Sequence, residues 1–190
     1  MSKTLSTSAG LLFLLFAQMG FTQPEKGQFI SANIGFAVNI PYEEYDETEG
    51  IGFYLHGEYA YNLTNWFGIR PYAGLIFVNS ENEERFPGEP EYFVRSNGFN
   101  FGLKARIYAP IPWIAPFLES GVGASIGTFE TFTPNTNLSA NGISLHIPFT
   151  IGLAIGRDHG TELAFSYYFN GEARQIFGGF GFGLTFPLSK

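Results

Sequence analysis

Hydrophobic positions recur at every second residue from Ile51 to Leu63. Ile51, Phe53, Leu55, Tyr59, Tyr61 and Leu63 fall on one side. Gly52, Tyr54, His56, Glu58, Ala60 and Asn62 fall on the other. A period of two predicts a β-strand with one apolar face and one small, polar face. The run is long for a soluble domain, where strands of roughly five or six residues are commonest. It is long enough to cross a bilayer, which takes about nine to eleven residues.

The same alternation returns along the rest of the chain. It predicts strands over Gln28–Ile40, Phe67–Asn79, Val94–Tyr108, Ile114–Thr128, Gly142–Gly156, Thr161–Phe169 and Ile176–Phe186. With the first, that makes eight. Pro71 interrupts one of them, and because proline has no N–H to give to a ladder, a bulge or local gap is expected there. No later stretch carries a helical period. The connections alternate in length. Long ones follow the first strand (Pro41–Gly50), the third (Ser80–Phe93) and the fifth (Phe129–Asn141), with a shorter one after the seventh. Short turns fall at Thr64–Trp66, Ala109–Trp113 and Arg157–Gly160. Membrane barrels have short periplasmic turns and longer outer loops. The pattern therefore predicts an all-β, eight-stranded antiparallel up-and-down transmembrane β-barrel with both termini periplasmic.

Composition narrows this further. The N-terminus has Lys3, an apolar run from Leu11 to Phe16, and small residues at Gly20 and Thr22. That is the form of a secretory signal and is too short to span as a helix. Residues 1–22 are expected to be a cleaved signal peptide and 23–190 the barrel domain. Charged residues make up only 14% of the chain and aromatics 18%, which suits alternating strands better than apolar helices. The absence of Cys excludes disulfides and a thiolate nucleophile. A net charge of −7 argues against nucleic acid as a partner.

Six charges lie on the small, polar faces: Glu58, Glu119 and Glu162 against Arg70, Lys104 and Arg106. All six fall in the half nearer the short turns. On a lipid-facing wall an Arg or Lys costs about 2–4 kcal/mol at mid-membrane, whereas inside and paired at one level they can satisfy one another. An interior ion-pair network of these six is expected to fill a barrel only wide enough for its own side chains. Aromatics should form two girdles. Tyr59, Tyr61, Trp66, Phe67 and Trp113 lie near the short turns, and Phe53, Phe77, Phe129, Tyr167 and Phe169 near the long loops.

The signal, the eight strands and the glycine-rich last strand, Gly178–Phe186, resemble the small outer-membrane barrels of the OmpA/OmpX type. The resemblance is one of pattern across the mature chain. It implies a Gram-negative outer-membrane location, passage through the barrel-assembly machinery, and a structural or surface-interaction role. Such barrels usually end on an aromatic residue, whereas this chain continues past Phe186 with Pro187-Leu188-Ser189-Lys190.

Candidate chemistry is sparse. His56 and His146 point inward, as do Ser144 and Ser166, and small barrels that modify lipid A use a His with a Ser and a carboxylate. A pair sealed inside a filled barrel cannot meet lipid, so these histidines are expected to belong to an interior hydrogen-bond network. His159 sits in a short turn. No His cluster has metal-ligand spacing, and neither catalytic residues nor a cofactor or metal site is expected. Glu43, Glu44, Asp46, Glu47, Glu49, Glu81, Glu83, Glu84, Glu89 and Glu91 place ten of the seventeen acids in two outer loops. They read first as a solvated surface, and secondly as a place for divalent cations shared with lipopolysaccharide. Arg95 and Arg174 near the outer rim could touch lipid phosphates. The expected partners are outer-membrane lipids and lipopolysaccharide, and the expected state is a monomer. The alternatives are a lipid A-modifying enzyme and a narrow porin-like channel.

Overall fold

The computed structural model describes residues 24–41, 49–80, 92–133, 137–171 and 174–188. They form eight strands: β1 Gly27–Pro41, β2 Gly50–Asn62, β3 Phe67–Ser80, β4 Phe93–Tyr108, β5 Ile114–Phe132, β6 Asn137–Ile155, β7 Thr161–Asn170 and β8 Gln175–Pro187. Each pairs antiparallel with its neighbours in sequence, and β8 closes on β1. Closure leaves no full-length free edge, so nearly all strand N–H and C=O groups are paired within the wall.

The registers fix the shape. Partners can be followed once round the wall from Glu119 through Thr150, Ser166, Gly179, Ala37, Gly52, Val78 and Ser96. The path returns to β5 at Phe129, ten residues further along (129 − 119 = 10). Eight strands with that stagger tilt about 40° from the barrel axis. Every residue on the path faces inward, so the stagger preserves the alternation.

The polarity is inverted relative to a soluble barrel. Phe36, Ile51, Phe53, Leu103, Val122, Ile147 and Phe186 are all exposed on the outer wall, Phe36 to 79%. The interior holds buried Glu, Arg, Lys, His, Asn, Ser and Thr. Monomeric soluble proteins rarely expose a continuous apolar surface of more than a few hundred Å².

Three local features refine the expectations. At Pro71 the β2–β3 pairing lapses between Glu58↔Tyr72 and Tyr61↔Ile69, then resumes in the same register, so the proline makes a gap and inserts no extra residue. Pro148 makes a matching gap between β5 and β6. The expected long loop Phe129–Asn141 is mostly strand. Phe129–Phe132 pairs with Asn137–Ala140, because the polar Thr, Ser and Asn residues there still alternate on a pleat. Phe129 points inward at 4% exposure and does not join the outer girdle, since it shares parity with Glu119 and Ser125. Tyr59, Tyr61, Trp66 and Trp113 at one end, and Phe53, Phe77, Tyr167 and Phe169 at the other, are exposed.

The glycines of β8 have a steric reason. The Tyr54 ring on β2 lies over Gly35 of β1 and reaches β8, and a Cβ at Gly179 would sit 2.5 Å from that ring. One at Gly181 would collide with the Tyr54 hydroxyl. The residues expected to form a signal peptide, 1–22, and nine of the ten loop acids (all but Glu49) lie outside the described residues.

Candidate functional site: the charged interior

The six inward charges come together from five strands. Glu58 is on β2, Arg70 on β3, Lys104 and Arg106 on β4, Glu119 on β5 and Glu162 on β7. Each is at most 5% exposed. The alternation that puts their neighbours in the outer wall puts them inside, and the registers bring them to one level. Arg106 sits directly across from Glu119 and Lys104 across from Arg70.

Lys104 Nζ donates to Glu58 Oε1 at 2.5 Å and to Glu119 Oε2 at 2.7 Å. Arg106 grips Glu162 with both ends of its guanidinium, at 2.6 and 2.9 Å, and donates through Nε to Glu119. Arg70 Nη1 donates to Glu58 Oε2 at 3.1 Å and Nη2 donates to the Tyr108 hydroxyl. Arg70 Nη1 also lies 3.6 Å from Glu162 Oε1, so each carboxylate faces at least two cations, and three positive charges balance three negative. Such charge-assisted bonds are roughly twice as strong as neutral ones. Ser31 and Thr185 extend the layer at 2.5 Å from each other, and Thr185 donates to Glu162 at 3.1 Å. Towards the short turns, Tyr108, Ala115, Phe117, Ala154 and Ala164 pack beneath. The Arg106 guanidinium carbon lies 3.7 Å from the centre of the Phe117 ring, within cation–π range.

Above the ions lies a layer of aromatic and imidazole rings. The Tyr168 hydroxyl meets His56 Nδ1 at 3.0 Å, and the Tyr72 hydroxyl meets His146 Nε2 at 2.5 Å. Ser125 Oγ meets His146 Nδ1 at 2.7 Å. Ser144 and Ser166, the inward serines noted in the sequence, do not partner the histidines. Ser144 donates to Asn170 at 2.9 Å and Ser166 pairs with Thr150 at 3.1 Å. Sequence alone missed Ser125 as the partner of His146. The signal was the register, because Gly123 is opposite His146 and Ser125 is the next inward residue along β5. Both nitrogens of His146 are taken, by a Ser and a Tyr, and no carboxylate orients the ring as hydrolytic triads require.

Nearest the long-loop end, uncharged groups take over. Asn39 Nδ2 donates to Ser96 at 2.5 Å and to Gln175 Oε1 at 2.6 Å, and Gln175 Nε2 donates to Thr131 Oγ1 at 2.6 Å. Gln175 Nε2 also donates to the Glu130 carbonyl at 2.9 Å, tying the top of β5 to the start of β8 across the mouth. The cavities inside the barrel are small, and the larger hollow of about 250 Å³ beside Tyr59, Tyr61 and Pro71 lies on the outer wall. One of about 10 Å³ lies beside Glu58 and Lys104, and others of about 20 Å³ lie beside His146 and beside His159. A space of that size holds about one water.

Outside the interior, His159 is buried in the turn after β6, with Nε2 3.2 Å from the Ile111 carbonyl. That contact joins two short turns. Arg95 pairs with Glu130 at 3.4 Å on the exposed rim. Arg174 enters β8 in a left-handed conformation, φ 48°. Among the described residues, no group of three or more His, Asp or Glu is placed to hold a metal ion.

No protein-family model matches this chain, and no curated protein matches it by sequence. Solved structures do match in shape. The neisserial surface protein NspA superposes with a TM-score of 0.55 at 11% identity, covering 86% of this chain and 98% of that one. The N-terminal β-barrel domain of Pseudomonas aeruginosa OprF superposes with a TM-score of 0.51 at 12% identity, covering 85% and 98%. The fold is that of the small outer-membrane barrels. At such identities the likeness is one of architecture, so the role of this chain has to be argued from its own residues.

Proposed function

We propose that this chain is an outer-membrane barrel closed to solutes, with a structural or surface-interaction role exercised at its long-loop end. The observation that carries the reading is the inversion of polarity around a filled, charge-neutral interior. An apolar wall with aromatic residues at both ends suits lipid. An interior whose largest ions all contact one another, with gaps of one water, offers no continuous path. The Ser125–His146–Tyr72 group lies within that interior, so it serves the network and meets no lipid substrate.

On this reading residues 1–22 direct export, both termini face the periplasm, and the monomer sits among phospholipid and lipopolysaccharide after delivery by the barrel-assembly machinery. Single-channel recording in planar bilayers tests closure, and stable conductance of porin size would overturn it. Trypsin on intact cells tests the orientation. Cleavage at Arg85, between β3 and β4, is expected, and cleavage at Arg157 in the turn between β6 and β7 would reverse the topology.

A further inference from the structure

Pro71 leaves the β2–β3 ladder one bond short. Two register pairs are missing, Tyr59↔Pro71 and Ala60↔Arg70, while Glu58↔Tyr72 and Tyr61↔Ile69 stand on either side. In an antiparallel ladder both missing pairs need the same bond, from the nitrogen of residue 71 to the carbonyl of residue 59. Proline has no hydrogen on that nitrogen. Pairing on the other side of β3 runs unbroken through Pro71↔Leu103, so the acceptor that loses its ladder donor is the Tyr59 carbonyl.

Tyr59 and Pro71 also line a hollow on the outer wall. Its volume is about 250 Å³, and Gln28, Tyr61 and Ile69 complete the lining. Tyr59 and Tyr61 belong to the aromatic residues at the short-turn end, and such residues sit at the head-group level of a bilayer. One outward row further from the short turns stand Ala32, Gly57 and Ala73, directly across from one another. A Cβ at Gly57 would meet nothing closer than 3.9 Å, so the wall is low there. The depression thus continues from the head-group level towards the acyl region.

A carbonyl without a donor is costly where water does not reach. The occupant that suits this hollow is apolar for most of its length and brings one hydroxyl or N–H to the level of Tyr59. Diacyl phospholipids carry ester oxygens at that depth, and these only accept. A phospholipid that has lost one chain carries a free glycerol hydroxyl there instead. We propose that this hollow is a binding site for a single-chain phospholipid. The glycerol hydroxyl donates to the Tyr59 carbonyl, the chain lies over Gly57 and Ala73, and the phosphate faces the Gln28 amide and the exposed Lys26.

Two features choose this occupant. The hollow is continuous with the apolar outer wall, so lipid is what covers it. A second copy centred here, related by a twofold axis along the membrane normal, would set hollow against hollow and fill neither. The inference rests on the proposed lipid-facing wall, and it is independent of which end of the barrel faces the periplasm.

The test uses the full barrel in nanodiscs of phosphatidylcholine. Incorporation is scored first, by co-elution with the disc, and a barrel that stays soluble without lipid would overturn the lipid-facing wall itself. The probe is palmitoyl lysophosphatidylcholine, whose hydroxyl is its one donor. Its control is the same molecule with that hydroxyl methylated. A saturable NMR shift of the Tyr59 carbonyl carbon and of the Tyr61 and Ile69 amides is expected, with about tenfold weaker binding of the methyl ether. Pro71→Ala restores the missing N–H. It is expected to keep the heat-modifiable folded band and to bind the probe about tenfold more weakly. Pro148→Ala, which repairs the gap between β5 and β6, is expected to leave binding unchanged. The site would be overturned by no saturable shift, by equal binding of the methyl ether, by full binding to Pro71→Ala, or by an equal loss in Pro148→Ala. A dimer cross-linked through Tyr61 would overturn the choice of occupant.

Discussion

The two ends of the interior are built from different chemistry. Near the short turns the barrel is held by ions, three of each sign, all buried and each in contact with more than one opposite charge. Near the long-loop end it is held by Asn39, Ser96, Thr131 and Gln175, with no formal charge among them. Both layers cross-link distant strands. The difference is in what a single deletion leaves behind. An amide removed from the upper layer strands a neutral donor or acceptor. An ion removed from the lower layer strands a charge, and buried charge is tolerated only when paired.

The largest effect follows from breaking the lower layer. Glu119→Ala leaves three cations facing two carboxylates and is expected to cost about 3–5 kcal/mol. The readout is the temperature or urea concentration at which the folded band disappears in a gel-shift assay. Adding Lys104→Met removes the stranded charge and restores two against two, with Glu58 still bonded to Arg70 at 3.1 Å. Most of the loss is expected to return in the double variant, because replacing a buried pair by apolar groups is often neutral. If the double variant is as weak as the single, the layer acts by packing and not by charge.

Smaller effects are expected above it. Gln175→Ala removes acceptor and donor contacts to Asn39, Ser96 and Thr131 and is expected to cost about 1–3 kcal/mol in the same assay. A cost equal to that of Glu119→Ala would erase the contrast between the layers. Gly179→Val tests the ring layer between them. Its Cβ would press on the Tyr54 ring, an overpacking expected to cost about 1–3 kcal/mol, and Tyr54→Ala in the same chain should relieve part of it.

What was legible in the sequence was what a period of two can carry. Arg106 could be placed inside because Ala105 and Ile107 flank it, and Glu58 because Leu55, Tyr59 and Tyr61 take the opposite parity, and a level could be assigned by counting from the short turns. Contact partners needed the stagger. Glu119 meets Arg106 because of the β4–β5 register, while Arg106 meets Glu162 only because β4 and β7 face each other across a narrow lumen. Neither relation is local in sequence. The tall β5–β6 hairpin was hidden for another reason. Its Ser, Thr and Asn residues have turn-forming side chains, and only pairing with one another shows that they extend the sheet. Phe129 was misplaced by the same segment, since assigning it to a loop discarded its parity.

The smallest effect is expected at the rim, where Arg95 and Glu130 repeat the chemistry of the lower layer in another setting. Their contact is 3.4 Å, but the side chains are 50% and 25% exposed. Water solvates either charge when its partner is removed, and exposed pairs contribute about 0–1 kcal/mol. Arg95→Ala is therefore expected to shift the unfolding midpoint little, and raising the salt concentration should reduce even that shift. The guanidinium also lies 5.5 Å from the centre of the Phe93 ring, so Arg95→Lys, which keeps the charge but not the planar group, separates the two contacts. A loss as large as that of Glu119→Ala would mean that the rim, like the floor of the barrel, is sealed from water, and burial would no longer distinguish the two ends.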